Sequence, residues 1–128
     1  MLNNDFFYIT ESDFSAPAPL ARIALNPEHE IYKAHFPGEP ITPGVCQIQI
    51  VSELLSLCLN AKTFLTDIKN VKYLSVISPL RTTALTVIFK KMELAEETCS
   101  ISAQIEGDGR IFSKLSMTFH VVRNSSDI

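Results

Sequence analysis

A histidine followed by two proline-glycine pairs is the first feature of this sequence that suggests chemistry. His35 precedes Pro37-Gly38, and Pro43-Gly44 follows just before an apolar run. A histidine side chain can accept a proton near neutral pH and so act as a general base. The prolines would stiffen the loop that carries it, and Gly38 permits a backbone turn that other residues resist. The pattern indicates a rigid loop that holds a histidine in front of the next element.

The apolar run from Val45 to about Asn60 predicts that this element is a long helix. The run contains no proline or glycine, and Pro43 and Gly44 stand at its start, where a missing amide donor does no harm. The first backbone N–H groups of a helix have no partner within it, and the positive end of its dipole lies there. The amides of Gly44 and Val45 can therefore polarise a carbonyl oxygen.

A stripe of polar residues along the predicted helix provides candidates for a proton donor. The stripe consists of Gln49, Ser52, Glu53, Ser56 and Asn60, and such stripes are most often the solvated face of a helix. Gln49 and Glu53 lie four positions apart and so share a face. An amide can donate a hydrogen bond but cannot release a proton as a carboxylic acid does. Glu53 is therefore the candidate acid of the stripe.

The elements around this helix read as strands. Strands are predicted over 20–25, 68–77, 80–92 and 98–106, with a last strand in which Leu115, Met117, Phe119 and Val121 point one way and Ser116, Thr118 and His120 the other. Gly107-Asp108-Gly109 is a hairpin turn signal. With no repeated strand-helix-strand rhythm, the fold class is α+β: one long central helix wrapped by a curled antiparallel sheet of about five strands. We expect a single domain over 1–128, with an N-terminal segment (1–19) and a frayed tail (123–128).

The histidine block also resembles a known family signature. His35-Phe36-Pro37-Gly38, four further residues and then Pro43-Gly44-Val45 resemble the signature of the hot-dog-fold 3-hydroxyacyl-acyl-carrier-protein dehydratases of fatty acid synthesis. The order of elements is similar over roughly residues 20–122. The resemblance implies a hot-dog fold and a lyase that eliminates water from a 3-hydroxyacyl thioester carried on acyl carrier protein, giving the trans-2-enoyl thioester. It also implies that no metal or organic cofactor takes part.

The same resemblance implies roles for individual residues. His35 would be the base, and the amide of Gly44 would bind the thioester oxygen. The expected substrate contacts are Phe36, Pro43, Gly44, Val45 and Gln49. The family places its acid fourteen residues after the histidine, where this sequence has Gln49. We expect Glu53, one helical turn later, to be the proton donor instead; the alternative is a site that has lost elimination and only binds.

Charge and cysteine usage limit the other possibilities. The net charge of −3 argues against nucleic acid as the main partner. The N-terminus has no pattern of a secretion signal, and no apolar run is long enough for a membrane span. Cys46, Cys58 and Cys99 form no zinc pattern, so we expect free thiols in a reducing cytoplasm. Cys46 lies in the first helical turn, but no Cys-His-Asn constellation supports it as a nucleophile.

The expected partners follow from the resemblance. Acyl carrier protein is acidic, so its docking needs a basic patch. The candidates are Arg22, Lys33, Lys72, Arg81, Lys90 and Lys91. We also expect a homodimer, with a hexamer as the larger assembly that some members of the family form. Two other functions stay open: a hot-dog thioesterase, although those usually lack this histidine block, and a non-catalytic acyl-binding or partner subunit.

Overall fold

The computed structural model describes residues 1–34 and 38–123. Within these residues two helices and six strands follow one another along the chain. They are β1 (Phe7–Asp13), β2 (Leu20–Leu25), α1 (Glu30–Ala34), α2 (Gly44–Leu59), β3 (Lys62–Tyr73), β4 (Ala84–Leu94), β5 (Thr98–Gly107) and β6 (Arg110–Val122). No helix among them is long and apolar enough to cross a bilayer.

The strands form one antiparallel sheet in the order β1-β2-β4-β5-β6-β3. After α2 the chain enters β3 and pairs with β6 at one edge, whereas β4 pairs with β2 and so returns towards the other edge. The sheet is therefore open, with β1 and β3 as its edge strands. The α+β architecture of one long helix held by an antiparallel sheet is confirmed.

The alternation of side chains between the two faces of β6 shows how the sheet packs against α2. β6 buries the four side chains predicted to share one face: Leu115, Met117, Phe119 and Val121. They belong to the same apolar core as Leu54 and Leu55 of α2. Because successive side chains of a strand point to opposite faces, the polar residues between them lie on the outer surface of the sheet.

Helix α2 begins and ends close to the predicted positions. Pro43 is extended (φ −61°, ψ 149°), and Asn60 ends the helix in the left-handed conformation (φ 49°). A left-handed residue stops the helical hydrogen-bond pattern, and asparagine tolerates this conformation better than most residues do.

The turn between β5 and β6 is also as predicted, since Asp108 (φ 52°) and Gly109 (φ 74°) form a two-residue connection with positive φ at both positions.

The sheet has six strands rather than about five. β1 lies within the segment predicted as an N-terminal extension (1–19), and it pairs with β2 from Phe7–Leu25 to Asp13–Leu20. Most of its side chains are exposed, because an edge strand has few neighbours to bury them, so the apolar alternation that signals a strand is weak. The short helix α1 was not predicted either.

The boundaries of β3 and β4 also differ from the prediction. β3 begins at Lys62 instead of Ile68 and ends at Tyr73 instead of Ile77, and β4 begins at Ala84 instead of Leu80. β3 is an edge strand whose side chains are mostly exposed, so its first half carries no apolar pattern. Of the predicted tail, residues 124–128 lie outside the part of the chain described.

Candidate active site

An open cleft of about 1000 Å³ runs between one face of α2 and the start of β3. The polar stripe of α2 faces it: Gln49, Ser52, Glu53, Ser56 and Asn60 all line the cleft. The opposite wall is largely apolar and includes Phe64, Leu65 and Val122. The stripe is therefore one wall of a cavity rather than a fully solvated helix surface.

Glu53 is the most constrained residue of this wall. It is only 5% exposed, although it lies on the cleft side of α2. Its Oε1 atom accepts a hydrogen bond from the backbone amide of Asn3, and its Oε2 atom accepts one from the amide of Leu2, each at 2.8 Å. Gln49 adds a third hydrogen bond, from Nε2 to Oε2 at 2.7 Å. The structure thus brings Gln49 and Glu53 together as their spacing predicted, but it also covers the carboxyl group with the N-terminus.

The serines of the stripe have local hydrogen-bond partners. Ser52 donates to the carbonyl of Ile48 at 2.8 Å, and the Ser56 hydroxyl lies 3.2 Å from the carbonyl of Ser52 and 2.5 Å from the Thr63 hydroxyl. No described histidine contacts either serine to act as a base. These hydroxyls bind their own helix and β3, so neither is a candidate nucleophile.

The start of α2 leaves two amide donors available. The carbonyl of Pro43 accepts the amides of Cys46 (3.0 Å) and Gln47 (3.2 Å), whereas the amides of Gly44 and Val45 have no hydrogen-bond acceptor among the described residues. The Val45 side chain is exposed. These amides are free to donate to a carbonyl oxygen, but Pro43, Gly44 and Val45 do not line the cleft beside Glu53, so their role as substrate contacts stays a prediction.

A buried chain of hydrogen bonds holds the segment that leads into α2. Thr42 donates its amide to the carbonyl of Ile77 (2.8 Å), and its hydroxyl bonds that of Tyr32 (2.8 Å). Its carbonyl accepts from Gln47 Nε2 (3.3 Å), and Gln47 in turn accepts from the Ser113 hydroxyl. Burial raises the pKa of Tyr32 to about 12, so its hydroxyl stays neutral and keeps this bond. Tyr32 and Thr42, which stand on either side of residues 33–41, are therefore bonded to each other and fixed to the core.

Tyr73, at the end of β3, packs directly against Gly44. A Cβ atom added to Gly44 would collide with the ring and hydroxyl of Tyr73. The Tyr73 side chain is half exposed, and its partial burial raises the pKa of the phenol, so the hydroxyl stays neutral at the start of α2. No pattern in the sequence marks this contact, because Tyr73 is only one more aromatic residue of a strand.

Gly44→Ala is expected to destabilise the protein through this contact. The atoms in the way are the far end of a half-exposed side chain that can turn aside, so the cost should be small, at most about 1 kcal/mol of unfolding free energy. Chemical denaturation of Gly44→Ala, Tyr73→Ala and the double variant would measure it. The cost of the alanine should fall close to zero once Tyr73 is removed. An equal cost in both backgrounds would show that the Tyr73 ring is not the obstacle.

The remaining predicted residues are placed as follows. His35 and Phe36 lie outside the described residues, so their roles stay predictions. Cys46 is buried and burial raises the pKa of its thiol, which is the opposite of what a reactive nucleophile needs. Besides Tyr73, the sequence analysis missed Leu2 and Asn3, and the only local signal for them was the aromatic pair that follows at Phe6-Phe7.

Solved structures with the same architecture define the fold as the hot-dog fold. The ApeI:P dehydratase heterocomplex from Xenorhabdus doucetiae has a chain with a TM-score of 0.68 and 18% identity, covering 88% of this chain and 96% of that one. The thioesterase PA1618 (a Q49A mutant) from Pseudomonas aeruginosa has a TM-score of 0.65 at 15% identity, covering 91% and 81%. A hypothetical thioesterase with coenzyme A from Streptococcus pneumoniae has a TM-score of 0.67 at 14% identity, covering 92% of this chain and 88% of that one.

The sequence itself matches one family. Residues 12–114 match the ApeI-like family, described as ApeI dehydratase. The chain therefore belongs to the ApeI-like dehydratase family. No curated protein matches it. The family match confirms the predicted class, a hot-dog dehydratase. The predicted substrate, a 3-hydroxyacyl thioester on acyl carrier protein, stays a prediction.

Proposed function

We propose that this protein eliminates water from a 3-hydroxyacyl thioester to form the trans-2-enoyl thioester. The observation that carries the proposal is that Glu53 alone supplies a carboxyl group among the described residues lining the cleft. Elimination needs one group that takes a proton from C2 and another that gives a proton to the leaving hydroxyl. Membership of a dehydratase family and the histidine block before α2 support the same chemistry.

The proposed mechanism assigns each step to a residue. His35 removes the C2 proton, and the amides of Gly44 and Val45 stabilise the charge that develops on the thioester oxygen. Glu53 protonates the C3 hydroxyl, the C3–O bond breaks, and water leaves as the C2–C3 double bond forms. Gln49 orients the substrate through its amide. A proton then passes from the imidazolium back to the carboxylate through solvent, and the thioester stays intact.

The carrier of the substrate is proposed to be acyl carrier protein. The apolar wall of the cleft suits an acyl chain, and an acidic carrier needs nearby cations. Of the predicted basic residues, Lys72 lies opposite Lys114 in the β3–β6 pairing, and because Tyr73 beside it faces α2, these two lysines form a basic pair on the outer face of the sheet. Arg22 instead pairs with Glu11 at 3.3 Å. A role in fatty acid biosynthesis and a cytoplasmic location stay predictions.

One assay separates the three functions. The purified protein is given (3R)-3-hydroxyacyl thioesters of pantetheine, with the 3S isomers as controls, while conjugated double bonds and free thiol are followed in parallel. Enoyl product without thiol supports the proposed dehydratase. Thiol release instead indicates a thioesterase, and neither product indicates an acyl-binding or partner subunit. A partner role has its own support in the relative described as a heterocomplex, so the last result would prompt reconstitution with a second hot-dog chain.

We also propose that the protein is a homodimer, which could assemble further into a hexamer. β3 is a 12-residue edge strand with no strand on its outer side among the described residues, and Phe64, Ile68 and Tyr73 on it are exposed. Long apolar edges are normally covered in native proteins. Pairing of β3 with a second copy would cover this edge and close the cleft beside α2.

Light scattering at micromolar concentration is expected to give the dimer mass. Ile68→Asp should shift the protein towards monomer, because it places a charge at the paired edge. Leu94→Asp is the matched control, since Leu94 at the end of β4 is 48% exposed and Ile68 is 47% exposed. A monomeric parent with full activity would contradict the proposal.

A further inference from the structure

The N-terminal clasp, defined as residues Met1–Phe6, covers the proposed acid. The amides of Leu2 and Asn3 bind the two carboxyl oxygens of Glu53 at 2.8 Å each, and Met1 lines the cleft. The clasp thus lies on the face of α2 where a substrate would have to meet Glu53.

The base of the clasp is firmly attached. Phe6 is completely buried and stacks on Tyr32 with ring centroids 4.9 Å apart. Asp5 lies 3.1 Å from His29 Nε2, and its carbonyl accepts Asn26 Nδ2 at 2.9 Å. Movement of the first three residues would leave the Phe6 ring and the contacts of Asp5 with His29 and Asn26 in place, but the amides of Asp5, Phe6 and Phe7 would lose the carbonyl of Leu2 as their acceptor.

The tip of the clasp, residues 1–3, has fewer contacts with the rest of the protein than its base at Asp5 and Phe6. Apart from the turn hydrogen bonds within residues 2–7, its described hydrogen bonds are the two to Glu53. The Oδ1 atom of Asn3 is buried without a hydrogen-bond partner, and a buried acceptor without a partner costs free energy. Asn4, which joins the tip to the base, has a positive φ of 68°, a left-handed turn conformation that asparagine tolerates. The unpaired Asn3 Oδ1 atom makes the docked tip easier to release than the base.

The clasp conflicts with the acid role of Glu53. A general acid must hold a proton on an oxygen that faces the substrate. Here Oε1 accepts from Asn3, and Oε2 accepts from both Leu2 and Gln49. Both oxygens are engaged as acceptors and the carboxyl group is buried. Elimination through Glu53 therefore requires the tip to leave.

We propose that the N-terminal clasp is an autoinhibitory latch that must release Glu53 before the substrate can bind productively. The inference rests on the proposed acid role of Glu53. The clasp precedes residue 12, where the match to the dehydratase family begins, so it lies outside the matched residues. The closed state would keep the cleft occupied until a substrate or another binding event displaces the tip.

Asn3→Pro tests the latch because proline has no amide hydrogen to donate to Glu53. The φ of Asn3 is not positive, so proline removes the donor without demanding a left-handed residue. Loss of one such hydrogen bond to a carboxyl group should shift the equilibrium between the docked and the released clasp about tenfold or more towards release. We expect kcat/KM for elimination to rise several-fold, up to about tenfold.

Asn3→Ala is the matched control. It keeps the backbone amide and removes the unpaired Oδ1 atom, so its kcat/KM should equal that of the parent or fall below it. Leu2→Gln is a second variant that weakens the apolar packing of the tip while keeping both amides, and its activity should also rise. Hydrogen exchange of the peptide covering residues 1–6 should speed up in Asn3→Pro and Leu2→Gln but not in Asn3→Ala.

The outcomes separate the latch from the proposed function. An active parent whose activity is unchanged or lowered in both Asn3→Pro and Leu2→Gln, with their clasp peptides exchanging faster, overturns the latch and leaves the dehydratase standing. Unchanged exchange in both variants overturns the latch as well, because the amide contacts then do not hold the tip. An inactive parent with an active Asn3→Pro supports both. No elimination by any of the four proteins overturns the dehydratase and the latch with it.

Discussion

His35→Ala is expected to abolish elimination while leaving the fold intact. Loss of a general base typically lowers the rate by roughly 10²- to 10⁴-fold, and none of the described histidines lines the cleft to replace it. The flanking residues Ala34 and Gly38 are exposed, so the substitution should remove little of the core. Enoyl formation, thermal unfolding and the dimer mass would be measured together.

His120→Ala is the control for this experiment. His120 lies on the outer face of β6, opposite Thr98 and Phe64 in the strand pairing, and its removal should leave elimination within about twofold of the parent. The acidic limb of the pH profile of kcat/KM should also disappear in His35→Ala, because that limb reports protonation of the free base. Activity of His35→Ala within a few-fold of the parent would remove His35 from the mechanism.

Glu53→Gln is the second substitution with a large expected effect. It keeps the shape of the side chain but removes the transferable proton, so elimination should fall by roughly 10²- to 10⁴-fold. It also replaces one accepting oxygen by an NH₂ group, which cannot accept the amide of Leu2 or Asn3. The clasp should therefore loosen while activity is lost. That combination distinguishes an acid from a residue that only anchors the N-terminus, whose loss would free the cleft.

Exchanging Gln49 and Glu53 provides a stringent test of the acid role of Glu53. Gln49→Glu alone converts the 2.7 Å hydrogen bond between residues 49 and 53 into a contact of two carboxyl groups, which repel unless they share a proton. Gln49→Glu combined with Glu53→Gln restores one carboxyl group and one amide. Because residues 49 and 53 share a face of α2, the double variant should recover much of the activity lost in Glu53→Gln.

Full activity of Glu53→Gln would reject this assignment. Glu53 would then serve mainly to dock the clasp, and elimination would need another acid. Glu39 is the nearest alternative in the sequence, and it is exposed on the loop before α2. The elimination activity of Glu39→Gln is therefore measured alongside. It should equal that of the parent if Glu53 is the acid, and it should fall strongly if Glu39 is the acid. An acid from the partner subunit would leave both single variants active.

Local patterns in the sequence determined the elements whose side chains alternate between core and solvent. The limits of α2 followed from an apolar-rich segment, Val45 to Asn60, that contains no proline or glycine, and the inner face of β6 followed from strict alternation. The pairing of Gln49 with Glu53 was also local, because residues four apart on a helix must share a face. The histidine block by itself pointed to a hot-dog dehydratase, and the family match agrees with that class.

The tertiary structure alone decided what surrounds these residues. β1 and the first half of β3 carry little apolar alternation because they are edge strands, so their places in the sheet depend on pairing with distant segments. The contact of Tyr73 with Gly44 joins the end of β3 to the start of α2. The amides that cover Glu53 lie 50 and 51 residues before it in the chain. Backbone donors are present in nearly every residue type, so no local pattern marks which of them will bind a given carboxyl group; only the folded chain brings them together.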